Sequence, residues 1–217
     1  MRCFIGLDLT ASEKLALDSW RQKALPEISL RHAENHTNEQ ASGYKGKRKS
    51  KNNITGTSKP YAITPANYHL TLCFLGNITH RQHDSLISQL DKVEHSPFSF
   101  TLDTSGIWNG PKILFVAPSS VPSELMSLAK TTRKVARASA IEVENKPYRP
   151  HVTLVRKATP ALPVPLYSPC VEIHATAFHL FESVSSPQGV RYPIRYSWKL
   201  KRSMSVREML RTGFKND

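Results

Sequence analysis

The sequence predicts an α+β fold with largely antiparallel sheets. Apolar residues recur first at strand spacing and then at helix spacing along the 217 residues. Residues 10–13 and 79–82 have the spacing of a capping box, which begins a helix. The pattern His, apolar residue, Thr, Leu occurs twice, at 69–72 and at 151–154. This repetition indicates two related halves packed face to face.

The first half is predicted to contain a strand, a helix, a strand and a second helix. Apolar residues at 4–7 predict the opening strand, and the capping box at 10–13 predicts a helix that ends near Pro26. This helix is expected to bury, in part, its apolar residues Leu15, Leu17, Trp20 and Ala24. The next strand contains the first histidine motif and ends at Gly76, and a helix follows the capping box at 79–82.

The second half is predicted to contain strands around one helix and a proline-rich connection. The predicted elements are strands at 98–102 and 113–117, a helix at 123–139, the second histidine strand, a connection at 160–169, and strands at 171–182 and 192–200. The last two strands are expected to pair across the Gln188-Gly189 turn.

Two basic segments interrupt or extend the predicted domain. Residues 31–60 carry seven Lys or Arg and two Glu, lack apolar periodicity, and predict a flexible insertion. The domain is expected to span residues 1–200, with a basic extension at 201–217. The net charge is +13, and these segments contribute most of it. They are compatible with non-specific binding of a polyanion such as nucleic acid, and equally with a solvated segment that has no partner.

The composition argues against membrane and secreted classes. No apolar run approaches the length that spans a bilayer, and the apolar start is interrupted too soon, at Asp8, for a secretory signal. The three cysteines are scattered, so they form neither a disulfide framework nor a Cys-x-x-Cys clip. A cytoplasmic protein is the resulting expectation.

The repeated motif places an imidazole beside a hydroxyl. Alternate side chains of a strand share a face, so His69 lies beside Thr71, and His151 beside Thr153. Two imidazoles on either side of a phosphorus atom supply the base and the acid of an in-line displacement. The two threonine hydroxyls are suited to donate to non-bridging oxygens, where charge develops. The pattern therefore predicts phosphodiester chemistry.

Three further residues near the second motif are candidates for the site. Arg156 is a candidate phosphate clamp, although strict alternation places it on the opposite face from His151, so a bulge would have to redirect it. Arg149 is a second candidate cation, for which a packing role is equally compatible. Tyr148 and Arg149 are together candidate contacts to RNA.

Other kinds of site are less well supported. A competing interpretation makes His69 and His151 zinc ligands together with Cys73, but zinc sites need three or four convergent ligands, and the strands have none of the His-x-x-x-His or Cys-x-x-Cys spacings. No Gly-x-Ser-x-Gly elbow occurs, so Ser-His-Asp chemistry is not indicated. No metal or other cofactor is expected. A basic RNA-binding module whose motif histidines are only structural remains an alternative.

The motifs and their flanks resemble a known family. The resembling stretches are 1–9, 67–76, 148–156, and 178–183 followed by Tyr192. They resemble the two-histidine phosphoesterases, in particular the LigT-like RNA 2′,3′-cyclic phosphodiesterases, which are also described as 2′-5′ RNA ligases. One departure is that the family often has Trp before the first motif, where this chain has 61–63, Tyr-Ala-Ile.

The resemblance implies a bilobal fold in which two antiparallel sheets form a central cleft with helices outside. It implies metal-independent opening of a 2′,3′-cyclic phosphate at an RNA end, or of a cyclic nucleotide, to a 2′-phosphate. His69 would then be the acid on the leaving 3′ oxygen and His151 the base that activates water. Thr71, Thr153 and Arg156 would hold the phosphate, and the reverse reaction would be 2′-5′ ligation. A monomer is expected.

Overall fold

The computed structural model describes residues 1–30, 59–187 and 189–201. The helices in this part of the chain are α1 (Ala11–Ala24), α2 (His80–Leu90) and α3 (Ser123–Ala138). The strands are β1 (Arg2–Asp8), β2 (Tyr61–Ala62), β3 (His69–Asn77), β4 (Phe98–Leu102), β5 (Thr104–Trp108), β6 (Ile113–Ala117), β7 (Val152–Arg156), β8 (Val171–Ala175), β9 (Ala177–Glu182), β10 (Val184–Ser186), β11 (Gly189–Arg191) and β12 (Ile194–Lys199). Most of the predicted insertion, and residues 202–217 of the extension, lie outside the described residues.

The main sheet joins both halves of the chain. Its strands have the order β12-β9-β1-β3-β7-β6-β5, with β2 also paired to β7, and its pairings are antiparallel. β4 pairs with β8, and β10 with β11, as separate antiparallel ribbons. The predicted α+β class with antiparallel sheets is confirmed.

The two histidine strands are neighbours at the centre of this sheet. β3 and β7 pair through Leu70 and Val152, the same position of the motif in each copy. Because the strands are antiparallel, His69 and His151 lie at opposite ends of this pair. Leu70 and Val152 are buried in the core, where α3 packs against β3. The apolar face of each motif therefore anchors the strand and leaves the imidazole face toward the cleft.

Local sequence signals fix the helix starts. The amide of Glu13 donates to the Thr10 hydroxyl at 3.2 Å, and the Thr10 amide donates to the Glu13 carboxylate at 2.6 Å, so the first capping box is confirmed. The second capping box is also formed. The prediction that Leu15 is buried is wrong, because this residue lies on the outer face of α1 and is 66% exposed. Leu17 is fully buried, as predicted. No helix in the described residues is long and apolar enough to cross a membrane.

The strands differ from the prediction in three places. The predicted strand at 171–182 is two strands, since β8 pairs with β4 while β9 joins the main sheet. β12 pairs with β9 as expected, but the β10–β11 hairpin lies between them. β5 was not predicted, because residues 104–108 show little apolar alternation. The division of 171–182 depends on contacts with the distant strands β4 and β1, whereas β5 and the β10–β11 hairpin pair with neighbouring segments and are too short to show a clear period.

Gly6 allows β1 to approach the first histidine strand closely. A Cβ atom at Gly6 would lie 2.7 Å from the carbonyl oxygen of Leu70. Gly6→Ala is therefore expected to separate β1 from β3 and to lower the free energy of unfolding by about 1–3 kcal/mol. Gly110→Ala is the matched control, because a Cβ atom there meets nothing within 4 Å. Urea denaturation of both variants tests this, and equal stabilities would contradict it.

Candidate active site

One cavity of about 470 Å³ is lined by both histidine motifs. His69 and Thr71 reach it from β3. Thr153 and Arg156 reach it from β7, and His151 from the position immediately before β7. The structure therefore brings together in this cavity five of the seven candidate residues, and Tyr148 and Arg149 do not line it. Their catalytic and phosphate-binding roles remain predictions.

A bulge in β7 turns Arg156 toward the histidines. In the pairing of β6 with β7, Phe115 is opposite Thr153 and Leu114 is opposite Val155, so Leu154 is the extra residue. Leu154 and Val155 are consecutive and both fully buried, which interrupts the alternation. Arg156 therefore lines the same cavity as Thr153. The bulge that the arginine clamp requires is present.

The first copy has a bulge at the corresponding place. Gly6 is opposite Thr71 and Ile5 is opposite Cys73, so Leu72 is the extra residue of β3. The next residue on the cleft face is Phe74, which occupies the motif position held by Arg156 in the second copy and also lines the cavity. Sequence reasoning missed Phe74, because strict alternation does not show the bulge.

The position of Cys73 argues against the zinc alternative. Cys73 is buried and does not line the cavity that holds the two histidines. Burial raises the pKa of its thiol to about 11, which disfavours the thiolate that binds zinc. Within the described residues, no three His, Cys, Asp or Glu side chains converge as metal ligands would. The cysteine that this alternative named as a ligand therefore does not join the two histidines.

The same backbone contact orients both imidazoles. His69 Nδ1 lies 2.7 Å from the carbonyl oxygen of Asn67, and His151 Nδ1 lies 2.8 Å from the carbonyl oxygen of Arg149. Because a carbonyl only accepts, Nδ1 is the donor in each ring, and Nε2 is left for proton transfer. Each histidine therefore uses the carbonyl two residues earlier to fix its tautomer and its direction.

Aromatic rings confine the two imidazoles. The ring centroid of His69 lies 4.6 Å from that of Phe4 and 4.8 Å from that of Tyr192. The ring of His151 lies 4.5 Å from that of Trp108, in an edge-to-face contact. These aromatic residues were not recognised from the sequence as part of the site, because they come from segments that are distant from the motifs in the chain.

The β10–β11 hairpin is tied to the first motif. The side-chain amide of Asn67 donates to the carbonyl oxygen of Val190 at 2.7 Å. Ser185, Val190 and Tyr192 line the cavity with His69. Asn67 thus holds His69 through its backbone and the hairpin through its side chain, which couples the wall of the cavity to the imidazole.

Tyr148 and Arg149 differ in their surroundings. The Tyr148 hydroxyl donates to the carbonyl oxygen of Thr71 at 3.1 Å, and the Arg133 guanidinium lies over its ring at 5.4 Å. Burial raises the pKa of this phenol, which keeps it neutral. Tyr148 therefore links the two motif segments. Arg149 has an exposed side chain. The predicted contact of both residues with RNA remains a prediction.

Burial lowers the pKa of both imidazoles. It is the main cause that lowers the pKa of His69 to about 4, and the positive charge of Arg156 acts in the same direction, while the hydrogen bond to Asn67 opposes it. Burial also lowers the pKa of His151. A phosphodiester carries negative charge, so its binding favours the protonated form and raises these pKa values. Protonation of an imidazole is thereby coupled to occupation of the site.

The lowered pKa of His69 makes the stability of the folded protein depend on pH. This side chain binds a proton below about pH 6.5 in the unfolded chain but only below about pH 4 in the folded chain. The unfolded state binds more protons in that window, so stability falls as pH decreases through it. His69→Gln should reduce the difference in unfolding free energy between about pH 5 and pH 8 by about 1–2 kcal/mol. Urea denaturation at both pH values measures it, with His174→Gln on β8 as the control. An unchanged difference in His69→Gln would contradict the assignment.

An antiparallel α+β fold whose central cavity is lined by two His-x-Thr strands defines a phosphoesterase of the two-histidine class. Comparison with known proteins agrees with this class. The family model described as "LigT like Phosphoesterase" matches residues 52–115. The chain belongs to the LigT-like phosphoesterase family, as two curated relatives show.

Two curated relatives have the name RNA 2′,3′-cyclic phosphodiesterase. The Escherichia coli K12 protein is 30% identical over 138 residues, which cover 64% of this chain and 78% of the relative. The Bacillus subtilis 168 protein is 34% identical over 148 residues, which cover 64% and 79%. The crystal structure of E. coli LigT complexed with 3′-AMP superposes with a TM-score of 0.73 at 25% identity, covering 93% of this chain and 98% of that chain.

Proposed function

We propose that the protein hydrolyses 2′,3′-cyclic phosphate ends of RNA to 2′-phosphates without a metal ion. The observation that carries this proposal is the pair of imidazoles, His69 and His151, which line one cavity with Nε2 of each left for proton transfer. The relatives named RNA 2′,3′-cyclic phosphodiesterase support the same reaction. The implied substrates are RNA ends and cyclic nucleotides.

The proposed reaction is an in-line displacement at phosphorus. His151 Nε2 accepts a proton from water while the water oxygen bonds to phosphorus on its side of the cavity. The bond from phosphorus to the 3′ oxygen breaks, and protonated His69 donates its proton to that oxygen. The phosphate remains on the 2′ oxygen. After the reaction His151 has gained a proton and His69 has lost one. The pair returns to its starting state when His151 releases a proton to solvent and His69 takes one up.

Three side chains are proposed to stabilise the negative charge of the transition state. The hydroxyls of Thr71 and Thr153 and the guanidinium of Arg156 line the same cavity as the histidines. Donors aimed at non-bridging oxygens stabilise the pentacoordinate state more than the substrate. The planar guanidinium of Arg156 presents paired N–H donors that match the oxygens of a phosphate. The protonated form of His69 then depends on the anionic substrate, as its lowered pKa indicates.

We propose that one bilobal domain over residues 1–200 carries this activity, as a monomer in the cytoplasm. The continuity of the main sheet supports the single domain, because β1 and β12 are both hydrogen-bonded to β9. The basic segments at 31–60 and 201–217 are proposed as an insertion into this domain and an extension beyond it.

Hydrolysis of adenosine 2′,3′-cyclic phosphate in excess chelator tests the proposed function. The expected product is adenosine 2′-phosphate, at the same rate with and without chelator. The basic RNA-binding alternative instead predicts salt-sensitive binding without turnover. Absence of turnover by the folded protein, exclusive formation of the 3′-phosphate, or loss of activity in chelator would each contradict the proposal.

A further inference from the structure

Asn67 contacts the proposed acid and a wall of the cavity through two different groups. Its backbone carbonyl accepts the hydrogen bond from Nδ1 of His69 at 2.7 Å. Its side-chain amide donates to the carbonyl oxygen of Val190 at 2.7 Å. Val190 belongs to β11, 123 residues further along the chain, and it lines the cavity together with Asn67. The proposed reaction gives no role to this side-chain amide.

The second copy of the motif holds its imidazole by another means. The carbonyl that accepts from His151 belongs to Arg149, and Pro150 follows it. A proline confines the residue before it to extended backbone, which restricts the direction of that residue's carbonyl. Pro150 is buried, whereas the Arg149 side chain is exposed and lines a second cavity of about 890 Å³. The direction of the Arg149 carbonyl is therefore restrained within the second copy itself.

The first copy has no proline at the corresponding position. Tyr68 stands where the second copy has Pro150, so the ring that confines the preceding residue is missing here. Asn67 is the last residue of a 3₁₀ turn, a structure with poorer hydrogen-bond geometry than an α-helix. The side-chain contact with Val190 attaches this turn to β11. The amide of Asn67 therefore supplies a restraint that the proline supplies in the second copy.

The β10–β11 hairpin and the residue after it also meet His69 directly. The ring of Tyr192 packs edge-to-face on this imidazole, with ring centroids 4.8 Å apart. Val190 and Tyr192 both line the cavity. Aromatic rings of β5 and β6 pack against His151 instead. The hairpin segment therefore contacts the first imidazole at two points, through the Asn67 carbonyl and through the Tyr192 ring.

We propose that Asn67 is a positioning residue for the acid, through which the β10–β11 hairpin sets the direction of His69. This inference rests on the proposed function, in which His69 protonates the leaving 3′ oxygen. Proton transfer needs the imidazole nitrogen within hydrogen-bond reach of that oxygen. Without the side-chain amide, the turn shifts relative to the hairpin, and Nε2 of His69 is aligned with the leaving oxygen for less of the time. His151 and Arg156, which belong to the second copy, keep their geometry.

The leaving group distinguishes a misdirected acid from general damage to the site. Adenosine 2′,3′-cyclic phosphate is compared with the analogue in which sulfur replaces the bridging 3′ oxygen. In both substrates the oxygen of water bonds to phosphorus. The bond from phosphorus to sulfur then breaks to release a thiolate, which is a weak base and departs without a proton from His69. We expect Asn67→Ala to lower kcat by about tenfold for the oxygen substrate and by less than about twofold for the sulfur analogue.

Further variants calibrate this comparison. Asn67→Leu keeps the approximate shape of the side chain but removes the donor to Val190, so we expect the same selective loss. His69→Ala should lose more activity on the oxygen substrate with the same selectivity, whereas His151→Ala should slow both substrates. Asn77→Ala makes the same truncation at the exposed end of β3, at a residue that lines neither cavity, and should leave both rates unchanged.

The outcomes separate this inference from the proposed function. Equal losses on the two substrates in folded Asn67→Ala and Asn67→Leu would show a merely structural role and overturn the inference, as would wild-type rates in both variants. A selective loss in His69→Ala would then leave the proposed function intact. Equal losses on the two substrates in folded His69→Ala would instead remove His69 as the acid, and with it the proposed function. Thermal unfolding shows which variants are folded.

Discussion

His151→Ala and His69→Ala are each expected to lower kcat for cyclic-phosphate hydrolysis by about 10³-fold. Each substitution removes one of the two proton transfers while leaving the phosphate contacts in place. The double variant should lose little more than either single variant, because acid and base act on one transition state. This non-additivity distinguishes a shared catalytic role from two independent structural ones.

Single-turnover assays at saturating substrate measure these losses, and thermal unfolding shows whether the variants fold. Both imidazoles are half-buried with aromatic neighbours, so their removal is expected to leave the fold intact. His174→Ala is the matched control, since this histidine lies on β8, outside both cavities. Retention of wild-type kcat by a folded His69→Ala or His151→Ala variant would refute the two-histidine mechanism.

Arg156→Ala is expected to reduce kcat by about 10²–10³-fold with a smaller change in KM, because the guanidinium is proposed to bind charge that develops in the transition state. Arg156→Lys should recover only part of this loss. A lysine restores the charge but not the planar, two-pronged donor. The comparison therefore separates geometry from charge.

Arg137→Ala controls for the loss of one positive charge, since Arg137 lies in the last turn of α3 and lines neither cavity. Steady-state kinetics of the three variants at equal ionic strength provide the measurement. If Arg137→Ala matched Arg156→Ala, the effect would be one of overall charge. If Arg156→Ala had no effect on kcat, the proposed clamp would be wrong.

The shared faces of the motifs were predictable because they depend only on local backbone. Alternation in a strand places His69 beside Thr71, and His151 beside Thr153, whatever the rest of the fold. The capping boxes were predictable for the same reason. Leu15 shows the limit of this reasoning, since an apolar residue within a helix is buried only if it lies on the face that meets the sheet.

The remaining parts of the site depend on partners that are distant in sequence. The direction of the Arg156 side chain follows from the register of β7 with β6. The sequence of a single strand does not show where a bulge lies. Trp108 and Tyr192 reach the imidazoles from β5 and from the segment after the hairpin. Short strands of this kind have too few residues for a period to be recognised. The sequence therefore predicted which motif side chains share a face better than it predicted their surroundings.

The matching bulges in β3 and β7 have a consequence for how the site distinguishes the two ends of its substrate. The backbone repeats the same irregularity, yet the side chain that follows is aromatic at Phe74 and cationic at Arg156. The two related backbone segments would hold either end of a ligand in a similar way. The chemical difference between Phe74 and Arg156, together with the different aromatic neighbours of the two imidazoles, then distinguishes one end from the other.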